Sequence, residues 1–243
     1  MSESRRVPPA WNTGAALLGR RDVVARLTAC FAGTALLPSA AFAQSAATCV
    51  LTPESGEGPF YFDPELVRTD IAEHSVGAPL ELAIQVVRTG DCATLANARV
   101  DVWHADALGF YSGYERQRGT GEPASSPLGQ TYLRGTQFTD PEGRATFRTI
   151  YPSWYQGRTP HIHFKIFLLE DEVIASQIFF PEYVNNEVFE TIEPYRARRH
   201  RRDTFNENDS FLTGRTGGVF CAVEPSAGGY SAGLTVGVRP GPA

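Results

Sequence analysis

The stretch that decides the fold is Phe147–Phe164, FRTIYPSWYQGRTPHIHF, which ends in an alternating run typical of a β-strand. His161 and His163 lie two residues apart in this run, so their side chains share one face of the strand, with Cα atoms roughly 6–7 Å apart. Just upstream, Tyr155 and Arg158 lie in a loop rich in Pro, Gly and Ser. A phenol, a guanidinium and two imidazoles at the entry to a strand predict a metal-centred site. The alternative is a strand with two histidines that are only hydrogen-bonded.

Short alternating segments separated by turn residues surround this stretch. The predicted strands are Leu80–Arg88, Ala98–His104, Tyr132–Thr139, Arg144–Ile150, Ile162–Leu169, Val173–Phe180, Val219–Val223 and Tyr230–Val238. Turn residues at 140–143 and 170–172 predict two hairpins. Only Pro181–Tyr195 has helical spacing of its apolar residues. The pattern predicts an all-β fold: a single β-sandwich of mostly antiparallel strands with one short helix and long loops.

Length and composition indicate a soluble protein with one sizeable core. The chain has 243 residues, of which 42% are hydrophobic and 20% charged. The formal charge of −5 argues against a general nucleic-acid binder. No run of 18 uncharged apolar residues is present, so we expect no membrane anchor. The basic run Arg196–Arg202 is interpreted as a solvated loop that pairs with nearby acidic residues, with an anion or subunit contact as the alternative.

Residues 1–43 have the pattern of a twin-arginine export signal. Arg20 and Arg21 precede the apolar stretch Val23–Leu37, and Ala41–Ala43 has the small residues of a cleavage site. The alternative is an amphipathic helix at the start of the mature protein. The signal predicts a periplasmic or extracellular location.

After this signal, residues 44–79 are expected to form an extended N-terminal segment and residues 80–243 the β-sandwich domain. Three cysteines remain in the mature chain: Cys49, Cys92 and Cys221. An oxidising compartment permits one disulfide and leaves one thiol, but their spacing does not tell which two pair. No C-x-x-C pair is present, so a zinc-thiolate site is not expected.

A second informative stretch is Val100–Tyr114, VDVWHADALGFYSGY, in which a strand runs through Trp103 into a Gly-containing loop that presents Tyr111. Taken alone, Tyr111 reads as a packed loop aromatic. Taken together, the two stretches resemble the intradiol ring-cleavage dioxygenases, the non-haem iron(III) enzymes that open catechols between their two hydroxyls. In that family the first tyrosine ligand lies eight residues after a strand Trp, and the interval from Trp103 to Tyr111 is the same.

Further motifs carry the resemblance across most of the mature chain. The family's second tyrosine follows a Phe-Arg-Thr-Ile segment and a proline, as Tyr155 does here. The histidines come as Arg-x-x-His-Ile-His, which is Arg158–His163, and a glutamine on the next strand is matched by Gln177. Leu51–Pro53 and Glu57–Tyr61 are similar to the family's N-terminal segment.

The resemblance implies an iron(III) cofactor, and the implied ligands are Tyr111, Tyr155, His161 and His163. It implies a catecholic substrate, O2 as the second substrate and a muconate-type diacid as product. Tyr155 would be displaced by the catechol and act as a base. Arg158 would stabilise developing charge, and Gln177 would be a hydrogen-bond partner near the iron. A homodimer is possible.

One departure leaves the substrate open. Only five residues separate Tyr155 from His161, whereas the better-known catechol and protocatechuate enzymes have a longer loop there. The short form resembles the stand-alone, often exported branch of the superfamily. Two other functions remain as alternatives: a secreted β-sandwich binding module without catalysis, and a zinc-dependent hydrolase that uses the histidine pair. Phenolate ligands favour ferric iron over zinc, and the segment His161–His163 contains no carboxylate for a facial triad.

Overall fold

The computed structural model describes residues 50–115, 117, 120–122, 127–214 and 219–239. These residues belong to one compact unit, which spans residues 45–243. The predicted export signal and Cys49 lie outside the described residues, so export stays a prediction. No helix in the described part of the chain is long and apolar enough to cross a membrane.

The described residues form nine strands and two helices. The strands are β1 (Pro79–Arg88), β2 (Arg99–His104), β3 (Arg134–Phe138), β4 (Arg144–Ile150), β5 (His161–Leu168), β6 (Asp171–Phe179), β7 (Val219–Phe220), β8 (Ala222–Ser226) and β9 (Gly229–Val238). The helices are α1 (Glu182–Thr191) and α2 (Ser210–Thr213). Helix α1 lies within the predicted helix. Helix α2 was not predicted, because four residues are too few to show a helical period.

The strands form two sheets that pack into a sandwich. One sheet has the order β4-β1-β9-β8 and the other has the order β3-β2-β5-β6-β7. Only the pairs β1–β9 and β6–β7 are parallel among the described strands. The prediction of an all-β sandwich with mostly antiparallel strands is confirmed.

The hairpin predicted between the third and fourth strands is wrong. The turn itself forms, because the amide of Gly143 donates to the carbonyl of Asp140 at 2.8 Å. However, β3 pairs with β2 and β4 pairs with β1, so the turn carries the chain from one sheet to the other. A turn motif specifies that the chain reverses, and it does not specify which strands pair afterwards. The second predicted hairpin, β5–β6, is confirmed.

The predicted strand Val219–Val223 is also wrong as a single element. It divides at Cys221 into β7, which pairs with β6, and β8, which pairs with β9 in the other sheet. Cys221 is buried, and its amide donates to the carbonyl of Phe179 at 3.1 Å. Cys221 is a free thiol, whereas Cys92 is disulfide-bonded.

The run Arg196–Arg202 is only partly the solvated loop that we expected. Arg196 does pair with Glu193 at the surface, at 2.7 Å. In contrast, the side chain of Arg198 is 1% exposed and donates to the carbonyl of Trp154 at 2.7 Å. The side chain of Arg202 is 6% exposed and pairs with Glu182. The expected pairing is confirmed, and the expected exposure is wrong for these two arginines.

Strand β5 is buried on both faces, and its two faces have different chemistry. Ile162, Phe164 and Ile166 join the apolar core between the two sheets. The alternate side chains, those of His161 and His163, therefore point to the outer face of the five-stranded sheet. Aromatic residues cover this outer face. They are Phe60, Tyr61, Trp103, Tyr111, Tyr114 and Tyr155. The fold thus creates a polar site that is covered but lies outside the main core.

The turn between β3 and β4 should not tolerate a side chain at Gly143. This glycine has φ +74°, and a Cβ there would lie 2.7 Å from the carbonyl oxygen of Val86. We expect Gly143→Ala to lower the free energy of unfolding by about 2 kcal/mol or more, from the left-handed backbone plus this contact. Gly228→Ala is the matched control, because Gly228 has φ +87° with nothing within 4 Å of its Cβ position. Urea unfolding of both variants measures their free energies of unfolding, and the difference between the two losses reports the contact with Val86. Equal losses of free energy in the two variants would contradict the cost of this contact.

Candidate metal centre

Four predicted side chains meet at one point on the outer face of β5. The hydroxyl of Tyr111 lies 3.1 Å from Nε2 of His163 and 3.2 Å from Nε2 of His161. The two Nε2 atoms are 3.1 Å apart, and the hydroxyl of Tyr155 lies 3.3 Å from Nε2 of His161. The structure therefore brings together the whole set of ligands that the sequence suggested.

The local structure fixes the orientation of both imidazole rings. Nδ1 of His161 lies 2.7 Å from the carbonyl oxygen of Thr159, which can only accept, so Nδ1 carries the proton and Nε2 presents its lone pair. The ring of His163 stacks on Trp103, with centroids 5.0 Å apart and planes 9° from parallel. Gly58 lies at the edge of this ring, where a Cβ would be 3.1 Å from Cε1 of His163. Because Gly58 has no side chain, it leaves room for this ring.

The two tyrosines differ in how deeply they are enclosed. Tyr111 is fully buried, and the ring of Phe60 stacks on it with centroids 4.4 Å apart. Tyr155 is only half-buried and lies at the rim of the site. A tight turn presents it, in which the amide of Arg158 donates to the carbonyl of Tyr155 at 2.9 Å. Of the two phenols, Tyr155 is the one with access to a molecule entering from outside.

Burial keeps all four groups neutral when only protein surrounds them. It raises the pKa of Tyr111 well above its ordinary value, and it also raises the pKa of Tyr155, against the opposing effect of Arg158. Burial, with Arg158 as the second cause, holds the pKa of both His161 and His163 well below the ordinary range. Neutral imidazoles are the form that binds metals. The phenols, in contrast, need a nearby cation before they lose their protons.

The donor atoms fit a metal ion better than they fit each other. Three polar atoms lie within 3.1–3.3 Å of Nε2 of His161, but that nitrogen has a single lone pair and can accept only one hydrogen bond. His163 Nδ1 has no hydrogen-bond partner among the described residues. Atoms bound to one metal ion at about 2 Å stand about 3 Å from each other, which is close to the observed separations. The residues present therefore fit a metal with two oxygen and two nitrogen ligands.

The same geometry disfavours a site with two histidines and a carboxylate. Across the described ranges, no group of three His, Cys, Asp or Glu side chains is placed to hold a metal ion. The nearby His104 is not a candidate, because it faces Ile162 across the β2–β5 ladder and therefore points into the core between the sheets. Its Nε2 lies 2.7 Å from the hydroxyl of Thr149. The groups that converge on the histidine pair are the hydroxyls of Tyr111 and Tyr155.

Arg158 and Gln177 lie beside the four converging groups, as the sequence suggested. Nη1 of Arg158 donates to the hydroxyl of Tyr155 at 3.4 Å, and Nη2 donates to the side-chain oxygen of Gln177. Gln177 lies directly opposite His163 in the β5–β6 ladder, which places its side chain on the same outer face. The guanidinium of Arg158 thus links the hydroxyl of Tyr155 to the side chain of Gln177.

Sequence reasoning missed one residue of this site, Asp209. Its carboxylate is fully buried and accepts from Nε of Arg158 at 3.0 Å and from the amide of Thr159 at 2.9 Å. An aspartate before a short polar and apolar run is a signal for a helix start. Asp209 lies 51 residues after Arg158 in the sequence, so no local pattern indicated this contact.

Comparison with known proteins gives the family. The Dioxygenase_C model, described as Dioxygenase, matches residues 57–201, which is more than half of the chain. Catechol 1,2-dioxygenase 2 of Acinetobacter lwoffii is 35% identical over 115 residues, which are 44% of this chain and 38% of that protein. The chain thus spans well under half the length of the curated relatives that it matches.

Solved structures cover more of the chain. An intradiol ring-cleavage dioxygenase from Tetranychus urticae has 31% identity and a TM-score of 0.71, over 79% of this chain and 96% of that one. The dioxygenase domain of a dioxygenase and carbohydrate-binding protein fusion from Streptomyces sp. SirexAA-E has 25% identity and a TM-score of 0.54, over 77% and 97% of the two chains. Fold, motif spacing and convergent side chains agree with these matches, and the chain belongs to the intradiol ring-cleavage dioxygenase family.

Proposed function

We propose that the protein is a non-haem iron(III) dioxygenase that cleaves a catechol-type ring between its two hydroxyls with O2, to give a muconate-type diacid. The observation that carries the proposal is the convergence of two phenols and two imidazole nitrogens within 3.1–3.3 Å. Membership of the family supports the reaction class. The known proteins named for catechol cleavage support a catecholic substrate.

The iron would be held by Tyr111, Tyr155, His161 and His163. Phenolate oxygens are hard ligands and suit the ferric ion better than a softer or less charged metal. When bound, iron(III) would supply the Lewis acidity that keeps the phenols deprotonated and activates a coordinated catecholate toward O2. Two phenolates beside a trivalent ion also leave the site with little net charge, which suits its burial.

Tyr155 is the group best placed to take a proton from an incoming catechol. It is half-buried, whereas Tyr111 is enclosed by Phe60 and fully buried. Arg158 donates to the hydroxyl of Tyr155, so it stabilises the phenolate until the substrate arrives. Proton transfer to a positioned base of this kind contributes about 10²–10⁴-fold to a rate.

Arg158 and Gln177 prepare the site for negative charge. A guanidinium is always cationic, and this one is largely excluded from water, so it would stabilise charge that develops on the ring and on reduced oxygen. Gln177 holds one end of that guanidinium through its side-chain oxygen. Its Nε2 has no hydrogen-bond partner in the part of the chain that the structure describes, so it is available to a bound molecule.

Oxygen uptake by the iron-loaded protein tests the proposal. We expect O2 consumption with at least one member of a panel of catechol, hydroxyquinol and protocatechuate, with a diacid product that retains both oxygen atoms. Iron-loaded protein should also have a visible tyrosinate absorption, which separates it from a zinc hydrolase or a binding module. Protein that binds iron but neither consumes O2 nor changes its spectrum with any catechol would contradict the enzymatic function.

A further inference from the structure

Asp209 is a carboxylate with no access to solvent and three donors around it. It is fully buried, and Oδ2 accepts from Nε of Arg158 at 3.0 Å and from the amide of Thr159 at 2.9 Å. Oδ1 accepts from the amide of Phe211 at 2.8 Å. Buried carboxylates are costly unless they are paired and hydrogen-bonded, and this one is both.

We propose that Asp209 is a positioning residue, which holds the guanidinium of Arg158 against Tyr155 and Gln177. The role of Asp209 in catalysis rests on the proposed function, because Asp209 acts through Arg158 and Thr159 and not by direct contact with the four converging groups. The structural part of the inference, that Asp209 fixes the arginine, stands on the contacts alone.

Each nitrogen of the Arg158 guanidinium has a separate partner. Nε donates to Asp209, Nη1 donates to the hydroxyl of Tyr155 and Nη2 donates to the side-chain oxygen of Gln177. An arginine side chain is long, and ordering it costs rotamer entropy. Of the three partners, only Asp209 carries a full negative charge when the phenol is neutral. The ion pair is therefore the contact that keeps the arginine in place.

Asp209 also builds the surface on which the guanidinium rests. It is the N-cap residue of α2, and the side-chain acceptance from Phe211 starts that helix. The guanidinium carbon of Arg158 lies 4.0 Å from the centre of the Phe211 ring, in a cation–π contact. The side chain of Asp209 thus pairs with Arg158 and also positions the Phe211 ring that the guanidinium contacts.

A second path leads from Asp209 to a predicted metal ligand. Its Oδ2 holds the amide of Thr159, and the carbonyl of the same residue accepts the proton on Nδ1 of His161. That hydrogen bond decides which nitrogen of His161 faces the site. Asparagine at position 209 has one acceptor oxygen for the three donors, so at least one of these contacts becomes a conflict between two N–H groups.

The visible spectrum of iron-loaded Asp209→Asn tests the position of Arg158 without turnover. A hydrogen bond donated to a phenolate stabilises its lone pair and raises the energy of its charge-transfer band. If Asp209 holds Arg158 at Tyr155, the band of Asp209→Asn should shift to longer wavelength with the iron content unchanged. Asp101→Asn is the matched control, because Asp101 is also buried and paired with an arginine, Arg99, and none of its hydrogen-bond partners is one of the four converging groups. The control should keep the wild-type band.

Steady-state kinetics separate positioning from general damage. We expect kcat of Asp209→Asn to fall by about 10²-fold while KM changes much less, because a displaced electrostatic group costs the transition state most. Asp101→Asn should keep kcat. An unshifted band together with unchanged kcat in Asp209→Asn would overturn the proposal.

A double-mutant comparison keeps the inference testable even if Asp209→Asn folds poorly. Arg158→Met leaves the carboxylate of Asp209 buried without its partner, so Asp209→Asn should lower the Tm by less in the Arg158→Met background than in the wild type. The shift of the band caused by Asp209→Asn should also be smaller in the Arg158→Met background. An equal loss of Tm in the two backgrounds would overturn the ion pair. This readout does not depend on turnover, so it stands even if no catechol is consumed and the proposed function fails.

Discussion

Replacing His163 by alanine should abolish the proposed binding of iron and the visible colour that comes with it. His163 is 1% exposed, and its Nε2 is one of the four atoms that converge at the site. Changing a residue that only orients a metal ligand typically costs 10–100-fold in affinity, so removing a ligand should cost more than about 10²-fold. We expect the iron content, the visible band and O2 consumption to fall together in His163→Ala. Metal analysis and an absorption spectrum of the purified variant measure the first two directly.

His104→Ala is the control for that experiment. His104 is the same residue type and is also 1% exposed, but it points into the core between the sheets and contacts Thr149. Its replacement should lower the free energy of unfolding by about 1–3 kcal/mol, from a lost hydrogen bond and a cavity. Iron and colour should remain. A His163→Ala protein that kept the visible band would show that the ligand set is wrong.

The position of the site was partly predictable because its residues are close together in sequence. The spacing of His161 and His163 in an alternating run places both rings on one face, and the structure has them there. The same pattern does not say which face. Strand β5 is covered on both sides, because aromatic residues of the N-terminal segment such as Phe60 and Tyr61 pack over the outer face. That cover belongs to long-range packing, which no local period encodes.

Failures of the sequence-based fold prediction share one physical cause. Local patterns locate turns and strands, whereas pairing partners are decided by contacts that are distant in sequence. The turn at Asp140–Gly143 has the expected composition but connects two sheets, and the segment around Cys221 contributes to both sheets. We expected Arg198 to be exposed to solvent, because charged side chains usually are. Its carbonyl partners and the ring of Trp154, 3.9 Å away, compensate for its burial.

Asp209 illustrates the limit of prediction at the site itself. Four converging side chains and Arg158 belong to recognisable motifs, but the carboxylate that holds Arg158 comes from a short helix with no periodic signal. The four side chains that converge, and Arg158 beside them, could therefore be named from the sequence. The residue that positions one of them required the three-dimensional contacts.

Replacing Tyr155 by phenylalanine should separate metal binding from turnover. The change removes one hydroxyl and keeps a ring that packs against Phe60 and Tyr111. Tyr111, His161 and His163 remain as the proposed ligands, and Tyr155 is the ligand that the substrate itself would displace. We therefore expect more iron to stay than in His163→Ala, with a weakened and shifted visible band. Turnover should fall by about 10²–10⁴-fold, because the substrate would lose the base that accepts its proton. Iron content, the absorption spectrum and kcat with the best catechol of the panel check the three expectations.

Tyr114→Phe is the matched control for Tyr155→Phe. Its ring packs edge-on against Phe60, but its hydroxyl donates to the carbonyl of Tyr61 at 2.7 Å and does not take part in the four converging contacts. Tyr114→Phe should keep its iron, its band and its kcat, because a half-buried hydrogen bond of this kind contributes only about 1 kcal/mol, and only to stability. Wild-type turnover by Tyr155→Phe would show that this phenol is not the base. Complete loss of iron would show instead that Tyr155 is needed to hold the metal, and the distinction between the enclosed tyrosine and the tyrosine at the rim would then fail.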